Sequence, residues 1–241
     1  MSNNYNVVYD CDVNVSDMYI ELSDVLDALA RLDPNKGAGP DNVPPRLYRE
    51  CRSSLALPMQ IIFNLSLRSS VFSQMWKTAH VVLVHKSGSK SNVENYRPIS
   101  ILSVPTKIFE SIVSAYISSI FSNIITTNQH GFFRKRSTLT NLLPFTNKII
   151  MAMSKGLEVH AVYTDFSKAF DKVHHGILIG KLSAYGIKGS LLRWFRSYLT
   201  GRVQQVKLNH CLSDSRRVPS GVPQGSILGP LLFSIYVNDI G

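Results

Sequence analysis

An aspartate that follows an apolar run is the residue of this chain best placed to do chemistry. Residues 159–164 are rich in Val, Ala and Tyr, which is typical of a half-buried strand, and Asp165 stands at its end. A carboxylate at the edge of a core needs a positive partner, because burying it unpaired is costly. Basic side chains and divalent metals are the usual partners, so Asp165 is a candidate metal ligand. It also fits a structural role, capping the turn that follows the strand.

Basic residues clearly outnumber acidic ones in this chain. The 241 residues include 26 Lys and Arg against 16 Asp and Glu, a formal net charge of +10. This excess favours a polyanionic partner such as nucleic acid, although a solvated basic surface gives the same count. A hydrophobic content of 44% indicates a globular chain rather than a disordered one. Its length suits one large domain or two small ones.

The number and spacing of the cysteines and the N-terminal sequence indicate the cellular compartment of the protein. Cys11, Cys51 and Cys211 lie too far apart for zinc-ligand or redox spacing, and an odd number argues against a disulfide framework. We therefore expect an intracellular, reducing location, with nucleus and cytoplasm left open, and no disulfide-linked partner. No signal peptide or membrane-spanning stretch is recognisable, so we expect no membrane partner.

The elements that must position Asp165 are strands interleaved with helices, which predicts an α/β (α+β) fold. Residues 79–86 and 96–102 predict two strands joined by a turn, and residues 202–208 and 216–218 predict a second pair. Helices are predicted near 23–32, from 44, around 57–65, 108–120, 137–153, 176–185, 189–200 and 225–238.

Five short segments occur in a fixed order along the chain. They are Gly-Ala-Gly-Pro-Asp at 37–41, Asn-Tyr-Arg-Pro-Ile-Ser at 95–100, Gln-His-Gly-Phe at 129–132 with Arg-Ser-Thr at 136–138, the stretch 165–171, and Ser-Gly-Val-Pro-Gln-Gly-Ser-Ile-Leu-Gly-Pro at 220–230. Together they resemble the reverse transcriptases of non-LTR (LINE-type) retrotransposons, jockey-like elements in particular. The resemblance covers the chain from about residue 20 to the end. The second and third segments favour this group over group II intron or telomerase-like relatives.

The resemblance implies a right-hand polymerase, of which this chain would hold the fingers and part of the palm. We expect a poorly ordered arm over residues 1–20, a fingers-like region with N-terminal helices over 21–158, and a partial palm over 159–241. The implied activity is RNA-directed DNA polymerisation, with an RNA template, a DNA primer and a dNTP as partners. In that reaction the primer 3′-hydroxyl attacks the α-phosphate of the dNTP, held in line by two Mg²⁺ ions.

The resemblance also assigns roles around Asp165. It implies that Asp165 is the first metal-binding aspartate of the palm and that the backbone carbonyl of Phe166 is a weaker second ligand. Phe170 is expected to lie under the sugar and to exclude a 2′-hydroxyl by filling its space, although an ordinary core Phe fits the pattern too. Asp171 is expected to be structural.

Other roles fall on the fingers and on the loop before the last helix. By resemblance Arg97 contacts the incoming triphosphate and Lys86 joins it, since Arg grips phosphate with two donors and Lys acts as a point charge. Each also fits a solvated surface cation. Gln224 and Gly225 are expected to line the nucleotide and template pocket, although a plain strand-to-helix turn gives a similar pattern.

A basic loop contains Arg134, Lys135 and Arg136. We expect these residues to contact nucleic-acid phosphates, a sequence-independent and salt-sensitive interaction. Three cations in one loop are also an ordinary surface feature.

The family's aromatic-Ala-Asp-Asp hairpin is absent from these 241 residues, and Asp239 near the end does not match it. With one carboxylate of the expected three, we expect weak Mg²⁺ binding and no primer extension above background. The alternative hypothesis is a truncated, inactive relic that acts at most as a basic nucleic-acid-binding module.

Overall fold

The computed structural model describes residues 13–122, 124–133, 135–209 and 211–240. Its regular elements are α1 (Leu22–Ala30), α2 (Pro45–Glu50), α3 (Arg52–Ser69), β1 (Thr78–His85), β2 (Tyr96–Ile101), α4 (Val104–Phe121), α5 (Thr138–Ser154), α6 (His175–Ala184), α7 (Gly189–Leu199), β3 (Arg202–Leu208), β4 (Cys211–Leu212), β5 (Arg216–Val218) and α8 (Leu228–Val237). Helices alternate with strands of one mixed sheet, so the predicted α/β class is confirmed. Within these ranges, no helix combines the length and apolar character that crossing a membrane requires.

The sheet has the strand order β2-β1-β3-β4, with β5 also paired to β3. β1 and β2 form an antiparallel hairpin in which Val84 lies opposite Arg97, as predicted from the apolar run and its turn. β3 lies parallel to the other edge of β1, with Thr78 opposite Val203. β5 returns antiparallel to β3 and leads into the loop that begins near Ser220.

Aromatic rings from α3, α4 and α7 form the centre of the core. Phe63 of α3 stacks on Phe109 of α4 with ring centroids 4.4 Å apart. Trp194 and Tyr198 of α7 are fully buried and stack on each other at 5.7 Å. This packing explains why α7, which carries two arginines, faces the core with its aromatic side.

The segment before α1 is part of this core. Ile20 is fully buried, and the Asn64 side chain bonds both its N–H and its carbonyl at 2.9 Å. Val15 forms a parallel bridge with Ile187. The poorly ordered arm predicted over residues 1–20 is therefore wrong for this stretch, because a buried side chain and a paired backbone fix it. The rest of that prediction, residues 1–12, lies outside the described residues.

The strand predicted over residues 159–164 is wrong. Residues 157–166 have no regular secondary structure, and Val162 and Tyr163 are 88% and 80% exposed. A strand is stable only when another backbone satisfies its N–H and C=O groups, and among the described residues none pairs with this stretch. The preceding helix α5 starts after the predicted cap Ser137, but none of its described residues is buried.

Candidate active site

Two of the predicted motif segments meet through their backbones. The Gly221 N–H donates to the Val173 carbonyl at 2.8 Å, and the Val222 N–H donates to the Phe170 carbonyl at 2.9 Å. Gly221 has φ +86°, and a Cβ there would lie 2.7 Å from the Phe170 carbonyl oxygen. Glycine is therefore required, because both the left-handed backbone and the close approach exclude a side chain. The Ser220 hydroxyl adds a bond to the Asp171 carbonyl at 2.9 Å.

The same loop then contacts strand β2. The Ser100 N–H donates to the Gln224 carbonyl at 2.7 Å. Gly225 has φ +114°, and a Cβ on it would lie 2.7 Å from the Ser100 carbonyl oxygen. The positive φ angle of Gly225 is incompatible with a right-handed helix. Helix α8 therefore begins at Leu228 rather than near residue 225 as predicted.

These three segments, together with strands β1 and β3, enclose a cavity of about 140 Å³. It is lined by Ala79, Val81, Pro98, Ser100, Asp171, Arg202, Val203, Gln204, Val218, Ser220, Val222, Pro223 and Gln224. The structure thus brings Gln224 together with the strand that carries Arg97 and with the turn that follows Phe170. This convergence of distant parts of the chain could not be derived from the spacing of the motifs.

Phe170 sits beside this cavity as a half-buried ring. It stacks on Phe233 of α8 with centroids 4.9 Å apart, and Phe132 meets it edge-on at 5.8 Å. The two contacts fix the ring plane, while the ring stays only partly covered. Both readings of Phe170 that the sequence allows are compatible with this position.

Asp165 and Phe166 lie on the exposed stretch, and neither lines the cavity. Phe166 is 57% exposed. The prediction placed Asp165 at the end of a half-buried strand, with its carboxylate at the edge of a core. The structure instead leaves this residue exposed. The physical reason is the missing strand partner described above.

The fingers cations stand on the β1–β2 hairpin. Arg97 belongs to β2 opposite Val84, and the Lys86 N–H closes the hairpin on the Asn95 carbonyl at 2.8 Å. Both side chains are exposed, and neither lines the cavity. Arg97 lies three residues before Ser100 and Lys86 fourteen residues before it, on the same hairpin. Both side chains are therefore accessible to a ligand from solvent.

The basic loop contains cations in two different situations. Lys135 is exposed, whereas Arg136 is half-buried. Arg136 Nη1 donates to the Thr126 and Gln129 carbonyls at 2.6 and 2.5 Å, and its guanidinium lies 5.0 Å from the Phe133 ring centroid. Arg136 thus braces its own loop, which makes its guanidinium less available to a phosphate. Arg134 lies outside the described residues.

Comparison with known proteins identifies the family. A family model described as reverse transcriptase (RNA-dependent DNA polymerase) matches residues 84–241, more than half of the chain. The chain belongs to the reverse transcriptase family.

Similar reverse transcriptases come from insect mobile elements. The chain is 32% identical over 230 residues to a probable RNA-directed DNA polymerase from transposon BS of Drosophila melanogaster, covering 92% of this chain and 25% of that protein. It is 30% identical over 224 residues to the RNA-directed DNA polymerase from mobile element jockey of Drosophila funebris, covering 92% and 24%. The predicted resemblance to jockey-like, non-LTR elements is confirmed, and the chain spans about a quarter of the length of these relatives.

Membership of the reverse transcriptase family implies a divalent-metal requirement. Asp165 offers the hard carboxylate oxygens that Mg²⁺ prefers. Among the described residues, however, no three His, Cys, Asp or Glu side chains come together to hold an ion. Asp239 is instead ion-paired with Lys181. The described residues therefore do not by themselves fit the two-ion site that the resemblance implies.

The sequence did not predict a buried polar cluster that lies behind the loop carrying Gln224 and Gly225. Glu110 of α4 is fully buried, and its Oε1 accepts from the Tyr198 hydroxyl at 2.7 Å. Arg202 donates from Nη1 to the Tyr198 carbonyl at 3.1 Å. Burial raises the pKa of the Glu110 carboxyl, and it also raises that of Tyr198, with the Glu110 charge adding to the effect. The signal was present: Glu110 falls on the same helical stripe as Val113 and Ile117, both fully buried.

Proposed function

We propose that this chain forms the fingers and part of the palm of an RNA-directed DNA polymerase from a non-LTR retrotransposon. The observation that carries the proposal is the convergence of β2, the turn after Phe170 and the Gln224 loop on one cavity. Relatives similar over 91–92% of the chain are named RNA-directed DNA polymerases. In this proposal residues 21–158 are the fingers-like region and residues 159–241 the partial palm.

The cavity and its surroundings would receive an incoming dNTP. Gln224 reaches it from the loop, and Gly225 lets that loop approach β2 without a side chain between them. Phe170 would face the sugar, because its ring is held on one side by Phe233 and remains partly exposed. Arg97 and Lys86, exposed on the same hairpin, would bind the triphosphate.

An RNA template and a DNA primer are the proposed macromolecular partners. The formal charge of +10 favours such a polyanion. In the basic loop we assign the phosphate contacts to Arg134 and to the exposed Lys135, with Arg136 bracing the loop and contributing less. Asp165 and the Phe166 carbonyl are proposed as one part of a Mg²⁺ site whose other carboxylates are not among the described residues.

Nucleotide binding by the 241-residue chain tests this function. Equilibrium dialysis with labelled dTTP and Mg²⁺ should detect binding, and Gln224→Ala should weaken it by roughly tenfold, the equivalent of one lost hydrogen bond. Gln205→Ala is the matched control, because Gln205 lies on β3 and does not line the cavity. Absence of dTTP binding in the unmodified chain, or an equal loss in both variants, would contradict the proposal.

A further inference from the structure

The loop that carries Gln224 and Gly225 borders open space on two sides. The cavity of about 140 Å³ lies against Gln224. A second cavity of about 600 Å³ lies between α1 and α4 and reaches Gly225 and Ile227. Gly225 and Ile227 are exposed, whereas Ser226 between them is buried and bonds the Pro223 carbonyl. A loop that borders two cavities depends on such specific bonds to keep one shape.

Strand β2 supplies such bonds at one end of the loop, through Ser100 and the Gln224 carbonyl. At the other end the bond comes from Glu110, whose Oε2 accepts from the Ile227 N–H at 2.7 Å. The Leu228 N–H also faces this carboxylate. Ile227 is the N-cap residue of α8 and Leu228 its first residue, so Glu110 satisfies backbone N–H groups that the helix itself cannot pair. The Ser226 hydroxyl accepts from the next N–H group, that of Gly229, at 2.9 Å.

The other oxygen of Glu110 is fixed from the opposite direction. Tyr198 donates its hydroxyl to Oε1, and Arg202 holds the Tyr198 carbonyl while its guanidinium lies 5.0 Å from the Tyr198 ring. Arg202 is the first residue of β3 and pairs with Val218 of β5, the strand that leads into the loop. The carboxylate is therefore immobilised by elements on both sides of the loop.

We propose that Glu110 is a positioning residue, which holds the Gln224–Ile227 loop from its core side in the shape that receives the nucleotide. Its role rests on the proposed function in one respect only, namely that the loop binds a nucleotide. The side chain itself is fully buried behind the loop, and it does not line the cavity of about 140 Å³. It acts through the Ile227 backbone, so its effect reaches Gln224 through three peptide units.

The chemistry of the site requires an acceptor at this position. Glu110→Met keeps the length of the side chain but removes the oxygen atoms that accept from the Ile227 N–H and from the Tyr198 hydroxyl. Glu110→Gln keeps one oxygen for Ile227 and offers its amide N–H₂ to the Tyr198 oxygen. The methionine variant should therefore loosen the loop, and the glutamine variant should restore it.

Amide hydrogen exchange on the 241-residue chain measures this directly. In Glu110→Met, exchange of the 224–229 segment should become roughly tenfold faster or more, and in Glu110→Gln it should return close to the original rate. Ser234→Ala is the matched control, because Ser234 is a buried polar residue of α8, the helix that follows the loop. Its hydroxyl donates to the Pro230 carbonyl of its own helix at 3.0 Å and not to the loop. Unchanged exchange in Glu110→Met, or an equal change in Ser234→Ala, would overturn the inference.

A second measurement separates this inference from the proposed function. The same exchange experiment with dTTP and Mg²⁺ should show protection of the loop in the unmodified chain, and the protection should need roughly tenfold more dTTP in Glu110→Met. If the unmodified chain shows no protection, nucleotide binding by this chain fails, and the exchange rates without dTTP still decide the role of Glu110. If Glu110→Met does not fold, Tyr198→Phe removes the hydroxyl that fixes Glu110 Oε1, and unchanged loop exchange in that variant overturns the inference.

Discussion

Phe170 has two aromatic neighbours that restrict where its ring can lie. Phe233 stacks against one face and Phe132 meets its edge, so a small change of the backbone cannot swing the ring away. A rigid ring excludes a substituent more sharply than a mobile one, because the space it fills is always occupied. Sugar discrimination is therefore a property to test at this residue.

Phe170→Ala should raise rNTP incorporation relative to dNTP, because the space that a 2′-hydroxyl needs becomes free. The measurement is the ratio of kcat/KM for rCTP and dCTP in primer extension by a polypeptide that carries this chain together with the family's Ala-Asp-Asp segment. Phe233→Leu should give a smaller rise, since it removes the stacking partner that holds the ring but keeps the Phe170 ring itself. An unchanged ratio in Phe170→Ala would contradict the assignment.

Glu110 should give stability a distinctive pH dependence. Burial raises its pKa above the ordinary value near 4.5, against the opposing effects of the Tyr198 hydroxyl and Arg202. A raised folded-state pKa means that its stabilising contribution is complete below the ordinary pKa and is lost as pH rises through the folded value. Urea unfolding between about pH 4 and about pH 8 should therefore show a loss of stability that Glu110→Gln lacks. Superimposable pH profiles for the two proteins would refute this effect.

Lys135 and Arg136 are adjacent cations with different predicted roles. Lys135→Gln should weaken template–primer binding and make the slope of log K against log salt shallower by about one, with no change in unfolding. Arg136→Gln should instead lower the free energy of unfolding by about 2 kcal/mol, because two carbonyls lose a charged donor. Fluorescence anisotropy at several salt concentrations and urea denaturation measure the two effects. The assignments fail if the two variants behave alike.

At the scale of elements, the approach of the Gln224 loop to β2 depends on Gly225. Gly225→Ala should lower the free energy of unfolding by about 1–3 kcal/mol, because the residue is left-handed and its Cβ would meet the Ser100 carbonyl. Gly180→Ala is the contrasting variant, since Gly180 lies within helix α6 with no atom near a Cβ, and Ala should stabilise that helix by up to about 1 kcal/mol. Urea denaturation of both variants checks the prediction, and a loss in both would contradict it.

Patterns of neighbouring residues correctly predicted those elements that are stabilised by contacts between segments close in sequence or by one periodic apolar face. The β1–β2 hairpin follows from an apolar run, a turn and a second run, and α7 follows from periodic apolar residues that the structure buries. The strand before Asp165 failed because its sequence has strand composition but no described backbone pairs with it. Leu57 and Ile61 marked α3 correctly, but they are exposed, and the buried face carries Phe63 instead.

The site was predictable only in part. Gln224 and Gly225 were assigned through the resemblance to the family, because the Gly and Pro residues of their loop alone also fit a plain turn. The structure places that loop at the cavity. Glu110 was missed because its role depends on α7 and the start of α8, which are about 90 and about 120 residues away in sequence. Such a contact leaves no trace in local spacing beyond a charged residue on an apolar stripe.

At the scale of the whole molecule, the 241-residue chain should show no primer extension above background. Losing metal ligands at a reacting centre costs on the order of 10³-fold or more in rate. A radiolabelled primer annealed to an RNA template, with dNTPs and Mg²⁺, gives the readout, and Asp165→Asn is the reference. Extension that depends on Asp165 would show that these residues suffice for catalysis.

The parallel pairing of β1 with β3 has a consequence for synthesis on the ribosome. β1 ends at His85, but its second edge is covered only when Val203–Val206 have emerged, after α7. At about 5–20 residues per second this interval lasts roughly 6–24 s. Throughout it the nascent hairpin presents an open apolar edge, which is where premature association with another chain would begin.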